Sequence, residues 1–176
     1  NLGAASGRAN VYNTSVNGNF RDKKINVFGN YSFNDGANPQ NFNLYREQFG
    51  LTLDQRSKQN AEWMSHNVKV GADYFLNDKH TLGLIVRANL NEGEFSNVGQ
   101  TPIGRVGFTS IDSLLVSESY NNNERQNYNY NLNYVFNGEN STVNFDLDYG
   151  MYRNDGFAFQ PNYYRDPTGE ITLQER

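Results

Sequence analysis

NYNYNLNYVFNGENSTVNFDLDYGMY, residues 127–152, alternates twice, and the second alternation runs in the opposite phase to the first. Tyr128, Tyr130, Leu132, Tyr134 and Phe136 take even positions, with Asn127, Asn129, Asn131 and Asn133 between them. Successive side chains of a strand point to opposite faces, so this spacing predicts a strand with an aromatic and aliphatic side and an amide side. Past Gly138 to Ser141 the apolar residues move to odd positions: Val143, Phe145, Leu147, Tyr149 and Met151, against Asn144, Asp146 and Asp148. Opposing Phe136 with Val143 closes a two-residue turn at Glu139 and Asn140 and brings both apolar sets onto one face. The stretch therefore predicts a β-hairpin with one greasy and one wet face.

Alternation of this kind also occurs in soluble sandwiches. Two features favour a sheet with its apolar face toward lipid. Each apolar run, 128–136 and 143–151, has about the 9–11 residues a tilted strand needs to cross a bilayer. The apolar face is also rich in Tyr and Phe, as barrel walls are where they meet the membrane interfaces.

Composition agrees with two-faced strands. Apolar residues are 36% of the 176 even with Tyr included, net charge is -4, and there are 29 Asn, no Cys and two His. That is lean for a globular core. Mean hydropathy is -0.80, which suits a barrel because only alternate residues meet lipid. Without Cys there is no disulfide framework and no soft-metal site. The chain starts without Met or a signal peptide, so it is read as a mature or excised piece.

Elsewhere the same pattern recurs. Residues 1–8 are read as the end of a strand and a tight loop. A strand follows from about Ala9 to Phe20, with Tyr12, Val16 and Phe20 in phase, then a short turn at Arg21 to Lys24. Ile25, Val27, Tyr31 and Phe33 resume the apolar face, with Phe28 as an exception on the polar one. Val68, Val70, Ala72, Tyr74 and Leu76 turn at about Asp78 to His80 and return as Leu82, Leu84, Val86, Ala88 and Leu90, with Leu76 expected opposite Leu82.

The polar stretches 35–63, 93–125 and from 154 onward are expected to be long loops. Strand extensions near Phe42 to Leu53 and a short pair at Ile103 to Phe108 and Leu114 to Tyr120 are allowed within them. Asp166 to Gly169, DPTG, is a turn signal. Short turns at one end and long excursions at the other are the asymmetry of an outer-membrane barrel, with periplasmic turns and extracellular loops.

KINVFGNYSFNDG (24–36), GADYFLNDKHTLG (71–83) and DLDYG (146–150) resemble the outer-membrane β-barrel family of TonB-dependent receptor-like proteins over about residues 9–153. The resemblance implies a large barrel of roughly 22 strands with a plugged lumen, located in the bacterial outer membrane. It implies uptake of an unknown small ligand, driven through TonB by way of a plug region. Residues 1–176 would be part of one such barrel domain, an early-to-middle section of the wall without plug or terminal strand. Six spanning strands would leave two edges, and unpaired backbone groups in hydrocarbon cost several kcal/mol each, so the piece must be completed by more chain such as the rest of its barrel, by partner copies, or by the strands allowed within its loops.

On this reading Tyr128, Tyr130, Leu132, Tyr134, Phe136, Val143, Phe145, Leu147, Tyr149, Met151, Leu82, Leu84 and Val86 face lipid. Lys69, Asp73, Arg87, Asn129, Asn131, Asp146 and Asp148 face the lumen, where the charges would pair with a plug or tune a polar interior. Tyr12, Tyr31, Tyr74, Tyr128, Tyr134 and Tyr149 could stack on sugars, but they share a face with Leu and Val. Ligand contact is expected in the loops, with Tyr120, Tyr163 and Tyr164 as candidates.

His66 and His80 fall at opposite ends of one predicted strand, too far apart to share a metal. Asp146 and Asp148 alternate along a strand and do not curl into a calcium loop. No phosphate loop, G-x-S-x-G or paired nucleophile occurs, so no catalytic residue, cofactor or metal is assigned. An acidic, Asn-lined chain is also a poor nucleic-acid binder. Two other architectures fit the same pattern: a small complete barrel serving as anchor or adhesin, and a secreted β-sandwich adhesin module whose aromatic face is a core.

Overall fold

In the computed structural model residues 2–6, 10–107 and 109–175 are described, the first five as backbone only. They form one antiparallel sheet of long strands that does not close on itself. The strands are β1 (Leu2–Ser6), β2 (Asn10–Arg21), β3 (Ile25–Gln48), β4 (Leu51–Asn77), β5 (His80–Arg105), β6 (Ile111–Asn137), β7 (Thr142–Phe159), β8 (Asn162–Arg165) and β9 (Ile171–Glu175). Consecutive strands pair from β1 to β7. β8 also pairs with β6, and β9 with β8.

β7 and β8 occupy one lane. Phe159 opposes Tyr120 and Asn162 opposes Ser117, so both segments keep the same register on β6. Only Gln160 and Pro161 separate them. The Glu118 N–H still donates to the Pro161 carbonyl at 3.0 Å, but proline has no N–H to return, and the ladder loses one rung there.

The central hairpin has the expected register, with Phe136 opposite Val143 and the Gly138 N–H donating to the Ser141 carbonyl at 2.8 Å. At the β4–β5 turn the register differs from expectation: Tyr74, not Leu76, opposes Leu82. The Asn77 side-chain oxygen accepts the backbone N–H groups of Lys79 and His80 at 2.9 and 3.1 Å. This pins a two-residue connection at Asp78 and Lys79. The displacement is two residues, so every side chain keeps its predicted face.

The expected long loops are instead strand. β3 and β4 pair without interruption from the Ile25–Tyr74 pair to the Gln48–Leu51 pair, and β5 and β6 pair out to Gly104 and Ile111. A polar stretch keeps alternating faces and, apart from Pro39 and Pro102, keeps its backbone donors and acceptors, so it extends the ladder much as an apolar one does. The far β3–β4 turn is Phe49 and Gly50, both at positive φ (54° and 78°). Such a turn matches the strand twist. Residues 1, 7–9 and 108 lie outside the described residues, so the tight loop expected before Ala9 and the Phe108 end of the expected strand pair are not placed.

No hydrophobic side chain among the described residues is buried. The sheet is a single layer, held by its ladders and by contacts along each face rather than by a core.

Candidate functional site

Register carries the alternation of each strand across to the next. Phe20 on β2, Val27 on β3, Ala72 on β4, Leu84 on β5, Leu132 on β6 and Leu147 on β7 form one cross-strand row. The neighbouring rows on that face mix tyrosine and phenylalanine with aliphatic residues. Ile25, Tyr74, Leu82, Tyr134 and Phe145 lie toward the short turns, while Val70, Val86, Tyr130 and Tyr149, then Tyr31, Val68, Ala88, Tyr128 and Met151, lie the other way. Phe136 and Val143 pair in the row next to the short turns. All thirteen residues expected on the apolar face thus lie on one continuous surface. Most stand open: Phe145 is 57% and Tyr149 61% exposed, and Leu82, Leu84 and Leu132 are exposed as well, while Val86, Tyr128, Tyr134 and Phe136 are half-buried.

Both histidines sit on this face, at opposite limits of the belt. The His66 Nδ1 and Tyr31 hydroxyl are 2.8 Å apart, and His80 Nδ1 and the Tyr134 hydroxyl 2.6 Å. His66 also packs on Phe33 and His80 on Phe136. They belong to different strands, β4 and β5, and each joins an aromatic cluster instead of ending a loop as a bare polar group. Their nearness to the aromatic phase in sequence was the available signal.

The belt ends abruptly. In the row beyond His66, Asp35, Glu92, Glu124 and Asp155 share the face with Met64, and the next row adds Glu62 and Glu94. Glu92 opposes Glu124, and Glu62 opposes Glu94. Like charges directly opposed are unfavourable in a sheet. Amides partner two of them, Asn60 donating to Glu62 at 2.7 Å and Gln126 to Glu124 at 2.6 Å.

The other face is a lateral network of amides. Asn26 donates to Asp73 at 2.9 Å, Asn89 to Asn67 at 2.9 Å, Asn131 to Asp148 at 2.9 Å, and Asn34 to Ser65 at 3.3 Å. Asn129 lies in the same set, opposite Arg87. Lys69 and Arg87 face each other directly across β4 and β5. None of Lys69, Asp73, Arg87, Asp146 and Asp148 makes an ion pair among the described residues. Lys69 instead lies over the Phe28 ring, 5.5 Å from its centroid. Phe28 in turn covers Gly71, which explains why this aromatic residue breaks the polar phase. Trp63 covers Gly36 in the same way.

The three tyrosines expected in ligand loops lie in strands. Tyr120 pairs with Phe159 and contacts the Phe157 ring at 6.5 Å, Tyr163 pairs with Val116 and Tyr164 with Leu115. Tyr163 and Tyr164, being adjacent, point to opposite faces. The structure therefore does not gather the three into one site. Among the described residues no group of His and carboxylates could hold a metal ion.

No family model matches the chain, and no curated protein matches it in sequence.

Proposed function

We propose that the chain is a section of the wall of an outer-membrane β-barrel of the TonB-dependent receptor-like kind, working in ligand capture and import. The height of the apolar belt carries the proposal. On β5 it runs from His80 to Leu90, ten residue steps, or roughly 34 Å of strand at about 3.4 Å each. Tilted by about 45°, that spans roughly 24 Å, against the ~25 Å apolar band of outer-membrane barrels. Aromatic rings stand at both limits of the belt, Phe136 against His80 near the short turns and Phe33 against His66 at the other end, where such walls carry their girdles. The acidic rows then mark where hydrocarbon ends.

Lipid would cover the apolar face, supplying the burial that the sheet lacks among its own described residues. A sandwich would require a second layer over that same face, and the described strands form a single sheet. The opposite face would line the lumen. Its Lys69, Arg87, Asp146 and Asp148, which make no ion pair among the described residues, suit a charged partner lying against it, the role a plug takes in such receptors. TonB would act through that plug. The substrate would be a small ligand taken at the far end of the strands.

The test is made on the native protein carrying this sequence, recovered from cells. It is expected to fractionate with the outer membrane, to need detergent for extraction, and to have a denatured mass several-fold above 20.1 kDa. A monodisperse monomer in detergent-free buffer overturns the membrane reading. A membrane protein with a mass near 20.1 kDa overturns the receptor-sized barrel and leaves the small barrel.

A further inference from the structure

A groove of about 880 Å³ opens at the far end of the sheet, on the face that carries the belt but beyond the acidic rows. Register builds it. Arg56 and Lys58 stand on β4, with Asn43 and Asn41 as their partners on β3 and Gln100 and Val98 as their partners on β5. All six residues therefore share one face, with the two cations in the middle and amides on both sides. The Arg56 guanidinium meets the Asp54 carboxylate at 2.7 Å, while Lys58 makes no ion pair among the described residues. Two cations against one carboxylate give the lining a charge of +1 in a chain of net charge -4, with Glu118, opposite Val98 on the same face, at its margin.

This lining has a specific chemistry. Side-chain amides both donate and accept, as sugar hydroxyls require, and cations pair with carboxylate or phosphate. Among the described residues no aromatic ring lines the groove, so they offer no stacking platform of the kind a nucleobase needs. Its volume falls within the range of small-molecule sites. On β4 it lies eight residues beyond His66, roughly 26 Å along the strand, clear of the apolar belt. We infer that this groove binds an acid-bearing saccharide, either free or linked to lipid. The inference rests on the groove's own lining and stands whether or not the belt faces a membrane.

The full chain in detergent micelles is titrated calorimetrically with three probes: a phosphorylated disaccharide, its unphosphorylated form, and its acylated phosphorylated form. The phosphorylated sugar is expected to bind, and the neutral sugar at least about tenfold more weakly, the scale of a lost charge-assisted bond. Lys58→Gln and Arg56→Gln should each reproduce much of that loss. Both side chains are exposed, so folding is kept. Asn43→Ala should weaken the charged and the neutral sugar alike, and Lys23→Gln, which removes the same charge at a distant turn, should change nothing. A preference of about tenfold or more for the acylated probe assigns a lipid-linked sugar, and equal binding assigns a free one. No binding of either phosphorylated probe, or undiminished binding by the Arg56→Gln, Lys58→Gln double variant, overturns the inference. Neither outcome bears on the height of the belt.

Discussion

Gly36 and Trp63 oppose each other on β3 and β4, and a Cβ built on Gly36 would lie 2.6 Å from the indole Cζ2. Glycine in a strand ordinarily weakens it. Here it leaves the space that the indole occupies, and Gly71 does the same for Phe28. Gly36→Ala is therefore expected to destabilise the sheet by about 1–3 kcal/mol through overpacking, whereas at an open strand position the same change would help. Trp63 is the sole tryptophan, so its emission reports the displacement directly. An unchanged spectrum with raised stability would remove this account. A second residue-scale expectation concerns Asp166 in the β8–β9 turn. Its carboxylate accepts the Thr168 hydroxyl at 2.7 Å and the N–H groups of Thr168 and Glu170 at 2.9 and 3.0 Å. The Thr168 hydrogen bond leads in holding its pKa below the ordinary carboxylate value, and the backbone bonds add to it. A lowered carboxyl pKa means that the turn is fully supported above about pH 3.9 and loses support as pH falls through the depressed value. Protection of the Thr168 and Glu170 amides, the slowing of their exchange relative to the intrinsic rate at each pH, should fall over that acid range. In Asp166→Ala that protection should be low at all pH values; a pH-dependent protection retained by that variant would exclude Asp166 as the cause.

Within a single strand the two faces have opposite requirements, and β6 offers the cleanest comparison. Leu132 sits in the aliphatic row and Asn131 beside it on the amide face. If the belt faces hydrocarbon, Leu132→Arg places a charge near the bilayer midplane at a cost of about 2–4 kcal/mol, while Asn131→Arg on the wet side costs little. Denaturant titration of the chain folded into lipid vesicles measures both. Equal costs for the two variants would mean that the belt is not in lipid. The strands also differ in what they ask of their sequence. Near the short turns, alternation of apolar and polar residues makes both face and strand legible. From residue 35 to residue 63 the residues on both faces are mostly polar, and the signal for a strand fades although the ladder continues. Those segments are strand because their neighbours supply backbone partners, which no local pattern reveals.

For the molecule as a whole, the decisive property is a sheet with partners on both sides in its middle and on one side at its margin. β4 and β5 are paired along both edges, whereas β7 pairs only with β6 among the described residues. Hydrogen exchange of the chain in micelles should therefore find β4 and β5 the most protected. Along β7 it should alternate, slow for amides directed at β6 and fast for those directed away. Uniform protection of β7 would show its outer edge to be occupied, by a second copy if no other chain is present. An exposed edge of this length is a pairing surface, as the completion of a barrel wall would require.

Alternation by itself determined the antiparallel β class, the two faces, the thirteen apolar-face residues and the register of the hairpin at 127–152. A strand's period of two leaves no freedom once one face must be greasy. The structure decided what depends on partners distant in sequence. Polar stretches read as loops became strand because β3 to β6 supply one another's hydrogen bonds. Tyr120, Tyr163 and Tyr164 went into ladders instead of a loop site, and Pro161 divided one lane into two strands. Arg56 and Lys58 acquired their amide neighbours only through cross-strand register. A side chain's face is set by its own strand, but its neighbours are set by the strands alongside.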